Sequence, residues 1–296
     1  MKDAFSTLHP IINFSFFLIV ILFTMFMMQP VFLAISFVAA ITYSIYLNGK
    51  KALLFNLCAM LPLLILAAVM NPLFNHQGAT ILTYFPSGNP LTLESLIYGL
   101  ASATMFVTVI MWFSCYNAVM TSDKFIYLFG RVIPAISLVL SMVLRFVPKF
   151  KAQIKVISNG QKCMGRDATE GNLVEKAKNG MKIISIMTTW ALENGIETAD
   201  SMRSRGYGLP GRTSFSIFRF DTRDYIVIAS IIIPTLFAFI MVAIGKIFIS
   251  YSPLFIMNET TPLAIFVYIA YGFLCFFPMV IDIMEDVKWH VMKSKI

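Results

Sequence analysis

Apolar runs close to membrane length recur along this chain, separated by short polar joints. A helix crossing the hydrocarbon core needs about 20 predominantly apolar residues. Six stretches reach that scale: roughly 11–29, 31–48, 52–74, 96–120, 224–249 and 262–284. Pro30 divides the first from the second, and Lys50-Lys51 divides the second from the third. Pro234 and Pro278 fall inside the fifth and sixth, where neighbouring helices satisfy the carbonyls that a proline leaves free. From Ala52 to Ser122 the only formal charge is Glu94.

The segment 123–223 breaks the pattern. Val132 to Val147 is strongly apolar, but it is short and runs into Arg145, Lys149 and Lys151. It reads as an amphipathic helix or hairpin at the inner interface, with Pro134 and Pro148 as its joints. A re-entrant or spanning helix is the competing reading. A helix is then predicted from about Lys149 to Arg166, with Phe150, Ile154, Ile157, Gln161 and Met164 on one face. Asn172 with Glu175 three residues on resembles a capping box and opens a second helix, from about Leu173 to Arg205. Ala177, Met181, Ile184, Thr188, Ala191, Gly195, Ala199 and Met202 line a mostly small face suited to close helix approach. At 1.5 Å per residue that helix reaches roughly 50 Å, and Gly206, Gly208 and Pro210 stop it. The chain thus divides into 1–122 and 224–296, both transmembrane, around a coupling module at 123–223.

Composition agrees. Of 296 residues, 58% are hydrophobic and only 13% charged, with mean hydropathy +0.78; a soluble domain carries about 25% charged residues. The expected fold is all-α: a polytopic helical membrane protein with about six transmembrane helices and a cytoplasmic helical insertion. Basic residues set its orientation. The stretch 145–213 holds 12 of the 23 lysines and arginines, whereas loops 75–93 and 250–261 hold none. By the positive-inside rule both termini lie in the cytoplasm of a bacterial or archaeal cell, and the chain is multi-pass in its membrane. The basic block is expected to meet the bilayer surface, not nucleic acid.

Catalytic chemistry finds little support. The four cysteines form no CxxC and three lie in apolar spans, so neither a disulfide framework nor a zinc site is indicated. The three histidines are scattered, and no metal or cofactor is expected. Asp282 and Glu94 are the chief ionisable candidates near the spans, too few for an intramembrane enzyme. The chain has no GxxxxGK[ST], GxSxG or HExxH pattern.

Two arginines sit among small residues: Gly165-Arg166-Asp167 and Ser204-Arg205-Gly206. Each is expected to close a long helix, where its charge complements the negative end of the dipole. Small neighbours leave a guanidinium open to a forked contact with carboxylates. Ordinary positive charge near phospholipid head groups is the competing reading.

Gln161-Lys-Cys-Met-Gly-Arg-Asp167 and Ala199-Asp-Ser-Met-Arg-Ser-Arg-Gly-Tyr-Gly208 resemble the transmembrane (T) component of energy-coupling factor transporters, the CbiQ/EcfT family. Arg145-Phe-Val-Pro148 matches the stretch that precedes the first coupling helix in that family, and Arg212-Thr213 extends the second match. The resemblance is specific over 141–213 and rests on hydropathy elsewhere. One departure stands out: the family's arginine motifs are usually Ala-Arg-Gly or Ala-Arg-Ser, whereas Arg166 has Gly before it and Asp after it.

The resemblance implies a non-catalytic scaffold of an ECF-type ABC importer. Such a subunit links two ABC-type ATPases to a small substrate-binding membrane protein, the S component, for uptake of a vitamin or metal ion. Gly165, Arg166, Asp167, Ser204, Arg205 and Gly206 would contact the ATPases, with Arg145, Pro148 and Gly208 supporting the coupling helices. The apolar face of 132–147 and the small-residue face of the second helix would serve the S component or internal packing. The alternative is a self-contained permease or channel that binds its own substrate. Against it, the chain shows neither a filter-like sequence nor the matched broken halves of a secondary transporter.

Overall fold

In the computed structural model, residues 3–84, 89–130, 134–167, 171–209, 218–245, 247–251, 255–258 and 261–293 are described. Pro10 opens α1 (Pro10–Phe26), where a missing N–H costs nothing, and the His9 ring nitrogen accepts from Ile11 N–H at 3.3 Å. Pro30 opens α2 (Pro30–Asn48) in the same way. Lys50–Phe74 follows as α3 (Lys50–Phe55), one π turn over Asn56–Met60, and α4 (Leu61–Phe74). Pro62 has no N–H for the Cys58 carbonyl, and the ladder widens just before it. Then come α5 (Leu93–Val119), α6 (Ser122–Gly130), α7 (Pro134–Cys163), α8 (Leu173–Ser204), α9 (Thr222–Ala243) and α10 (Pro262–Lys293).

Among the described residues, five helices are long and apolar enough to cross a membrane: Pro30–Asn48, Lys50–Phe74, Leu93–Val119, Thr222–Ala243 and Pro262–Lys293. The first predicted span is the shorter apolar helix Pro10–Phe26. The fifth ends at Ala243 rather than 249, because the chain turns through Gly245 with φ of +76°. Two short hairpins were not anticipated. β1 (Ile81–Tyr84) pairs antiparallel with β2 (Pro90–Thr92), and β3 (Ile249–Ser250) with β4 (Ile256–Met257). The Glu94 carboxylate secures the first by accepting from Thr80 Oγ1 at 2.6 Å and from Thr80 N–H at 3.2 Å.

The chain divides into two units, Met1–Phe125 with Phe218–Ile296, and Ile126–Ile217. Trp112, Tyr43, Tyr271, Phe5, Phe16, Phe17 and Phe32 are fully buried in the first. Their rings meet edge to face: Phe16 and Phe17 lie 6.0 and 6.2 Å from Trp112, and Phe32 lies 4.9 Å from Tyr271. Several polar groups inside this core pair across helices, which offsets the cost of their burial. Trp112 Nε1 donates to Ser36 Oγ at 2.9 Å, and Thr24 and Ser36 hydroxyls bond at 2.8 Å, joining α1, α2 and α5. At Gly99 an added Cβ would come within 2.8 Å of the Ala68 carbonyl oxygen, so α4 and α5 touch backbone to backbone there.

Asp282, weighed above as an intramembrane chemical group, has a structural task instead. Its carboxylate accepts from Phe5 N–H at 2.8 Å and holds the turn Phe5–Thr7 against α10. The Lys124 ammonium donates to the Val119 carbonyl at 2.9 Å and to the Ser6 carbonyl, and burial pulls its pKa down.

Candidate functional site: two helices ending in arginine

α7 and α8 belong to the second unit. The predicted break at Pro148 is absent: α7 runs unbroken for 30 residues, with Pro148 inside it. An interior proline costs about 3 kcal/mol, yet here the packed stripe does not shift at that point. Met142, Phe146, Phe150, Gln153, Ile157 and Gln161 are half-buried or buried and follow helical spacing across it. The apolar residues 134–147 are therefore the first half of one helix, not a separate hairpin, while 132 and 133 lie outside the described residues. That helix is not among the five apolar enough to cross a membrane. Of the predicted face, Phe150, Ile157 and Gln161 pack, whereas Ile154 and Met164 are exposed.

The capping box at the start of α8 is present. Leu173 N–H donates to Asn172 Oδ1 at 2.7 Å, and Glu175 accepts from Asn172 N–H at 3.2 Å. Within the chain α8 does not pack through the small-residue face as a whole. Ile183 and Met187 are buried, with Trp190, Ala191, Asn194, Thr198 and Met202 half-buried alongside. Ala177, Met181, Ile184, Thr188, Gly195 and Ala199 face outward. Outside the apolar spans, buried area decides which side packs, and Ile, Met and Trp bury more than Ala and Gly. The seam is aromatic and cationic: Phe150 meets Trp190 edge to face at 5.7 Å. The Lys149 ammonium lies 5.3 Å from the Trp190 ring centre and donates to Asn194 Oδ1.

Both helices end in a Schellman motif. At the end of α7, Gly165 has φ of +70°, Gly165 N–H bonds the Lys162 carbonyl and Arg166 N–H bonds the Gln161 carbonyl, each at 3.0 Å. At the end of α8, Gly206 has φ of +77°, Gly206 N–H bonds the Arg203 carbonyl and Tyr207 N–H bonds the Met202 carbonyl, again at 3.0 Å. The left-handed residue is a glycine in both cases because a Cβ would be strained there. The arginines do not occupy equivalent places. Arg205 directly precedes its glycine, whereas Arg166 directly follows.

Both arginines are exposed and make no ion pair to a carboxylate among the described residues. Asp167, the departure from the usual motif, is not a projecting negative charge. Its carboxylate lies 2.9 Å from the Lys162 ammonium, and its carbonyl accepts from Asn179 Nδ2 of α8 at 3.0 Å. Ser204 Oγ donates to the Ser201 carbonyl at 2.9 Å, and Gly208 has φ of +95°. Pro210 and Arg212-Thr213 lie outside the described residues. Arg145 and Lys149 of α7 line one groove with Arg205 of α8. The sequence pointed to Arg145 only as a support, and Lys149 and Glu197 on that groove were not among the candidate site residues. Arg166 lies away from it. Among the described residues, no group of His, Cys, Asp and Glu is arranged to hold a metal ion.

The profile of the CbiQ family, described as cobalt transport protein, matches residues 2–217. Relatives named energy-coupling factor transporter transmembrane protein EcfT give the same picture. That of Listeria monocytogenes serotype 1/2a is 28% identical over 236 residues, covering 75% of this chain and 82% of its own. That of Streptococcus equi subsp. equi is 28% identical over 222 residues, covering 70% and 78%. A match to the Lactococcus lactis subsp. cremoris protein is 36% identical over 102 residues, but spans only 34% of this chain and 38% of that one. The chain belongs to the CbiQ/EcfT family of transporter membrane components.

Proposed function

We propose that this protein is the transmembrane scaffold of an ECF-type ABC importer, passing ATP-driven motion from two ATPase subunits to a substrate-binding S component for uptake of a vitamin or metal ion. The observation that carries this reading is the pair of exposed guanidiniums fixed at the ends of two helices by the same capping motif. A guanidinium held at a rigid helix end fits a carboxylate-lined socket on a partner. The α7–α8 seam, locked by the Phe150–Trp190 contact and the Lys149–Asn194 bond, lets a push at either tip reach the whole helix pair. In this reading ATP binding closes the two ATPases, the helix pair shifts, and the S component changes orientation. Lysine and arginine distribution supports placing both termini and this helix pair in the cytoplasm.

The decisive variant is Arg205→Glu. Removing one partner of a desolvated charge pair costs about 2–5 kcal/mol, and reversal adds repulsion. Affinity for the ATPases should fall at least about thirty-fold, with membrane insertion unchanged, as read by pull-down of tagged protein from solubilised membranes. Unchanged recovery of the ATPases would overturn the docking role.

A further inference from the structure

We propose that the groove between α7 and α8 binds the headgroup of an anionic glycerophospholipid, with its phosphate held by Arg145. This site goes beyond the docking role and does not require it. The groove is a cavity of about 520 Å³, within the range of small-ligand pockets. Arg145, Lys149 and Arg205 face one acid, Glu197. Among the described residues neither arginine is neutralised by an ion pair, and Lys149 is engaged only by Asn194 and the Trp190 ring. The groove thus holds a net positive charge across two helices, and a dianionic or monoanionic phosphate complements it. Thr198 and Ser201 offer hydroxyls to the polar part of a headgroup, and Met142 and Phe146 offer apolar surface to its glycerol.

The source of the phosphate follows from the charge pattern of α7. From Pro134 to Leu144 the helix has no formal charge, and Ile136, Val139 and Val143 are 58%, 57% and 48% exposed. From Arg145 to Cys163 it carries five cations and no acid. The groove begins at that boundary. An apolar surface leading into a cationic pocket matches an amphiphile, whose acyl chains lie along the first half while its phosphate meets the second. A free phosphate would use only the cations and leave the exposed aliphatic row without a role.

The test uses the full-length chain purified in detergent without ATPases, so its outcome does not depend on whether Arg205 also docks them. Native mass spectrometry after adding equal phosphatidylglycerol and phosphatidylcholine should show retained phosphatidylglycerol. Losing one cation weakens an anionic-lipid contact about five-fold. Arg145→Gln should therefore cut that retention about five-fold, and Arg145→Lys should keep most of it. Should Arg145→Gln fail to fold, Thr198→Trp fills the groove without changing charge and should abolish retention. Equal retention of the two lipids, or variants that bind like the parent, would overturn the proposal. So would displacement by millimolar inorganic phosphate as effective as that by added phosphatidylglycerol, which would mark a free-anion site. A photo-crosslinker placed at position 198 in native membranes should yield phospholipid adducts. Adducts to polypeptide alone would assign the groove to a protein partner and overturn the lipid.

Discussion

Gly165 and Gly206 sit at equivalent points of two helix ends, and both need a backbone conformation that costs an L-residue roughly 1–2 kcal/mol. Gly206→Ala should accordingly lower thermal stability in detergent by about that amount, with the Leu209 side chain 3.1 Å from the new Cβ adding to it. Gly165→Ala, which meets nothing within 4 Å, should show the conformational cost alone. Equal melting of both variants and the parent would mean that neither Schellman turn limits stability. At this scale the sequence was informative. Gly206 and Gly208 marked the end of α8, because few residues other than glycine close a helix this way, whereas the helix predicted up to Arg166 passed over Gly165. The pairing of Asp167 with Lys162 was not legible, since an acid in a new motif looks the same on paper whether it projects or folds back.

For elements, the capping box of α8 was readable from Asn172 and Glu175, a local signal with a local consequence. Two longer-range features were not. Pro148 looked like a joint, yet its helix continues because the packed stripe stays in register through it. Pro148→Ala should restore a bond to the Leu144 carbonyl and raise stability, by no more than about 3 kcal/mol. A drop in melting temperature would instead show that the proline itself supports the seam. The side through which α8 packs on α7 was not legible, because a small-residue face suits another subunit as well as a helix of the same chain. Met187→Ala should cost about 2–5 kcal/mol as a buried truncation, whereas Met181→Ala, at a position 73% exposed, should stay within about 0.5 kcal/mol of the parent. The reverse order in a denaturation series would return the seam to the predicted face.

For the whole molecule, the apolar runs were readable because long charge-free stretches are stable in few settings besides lipid. The hairpins Ile81–Tyr84/Pro90–Thr92 and Ile249–Ser250/Ile256–Met257 were missed because strands of two to four residues carry no usable alternation. Orientation is open to a direct check through native thiols. Cys163 is exposed at the end of α7, while Cys115 and Cys275 are buried. A membrane-impermeant maleimide should leave Cys163 unmodified in intact cells and modify it after permeabilisation. Labelling of Cys163 from outside would invert the proposed topology.

The bond from Phe5 N–H to the Asp282 carboxylate joins residues 277 positions apart. A ribosome adding about 5–20 residues per second needs on the order of tens of seconds to make that separation. Phe5 and its turn therefore lack their final anchor until Asp282 has been made. A nascent chain halted before α10 would hold an N-terminal turn with no carboxylate to receive it. Closure of this contact thus waits for α10, however early α1 is made.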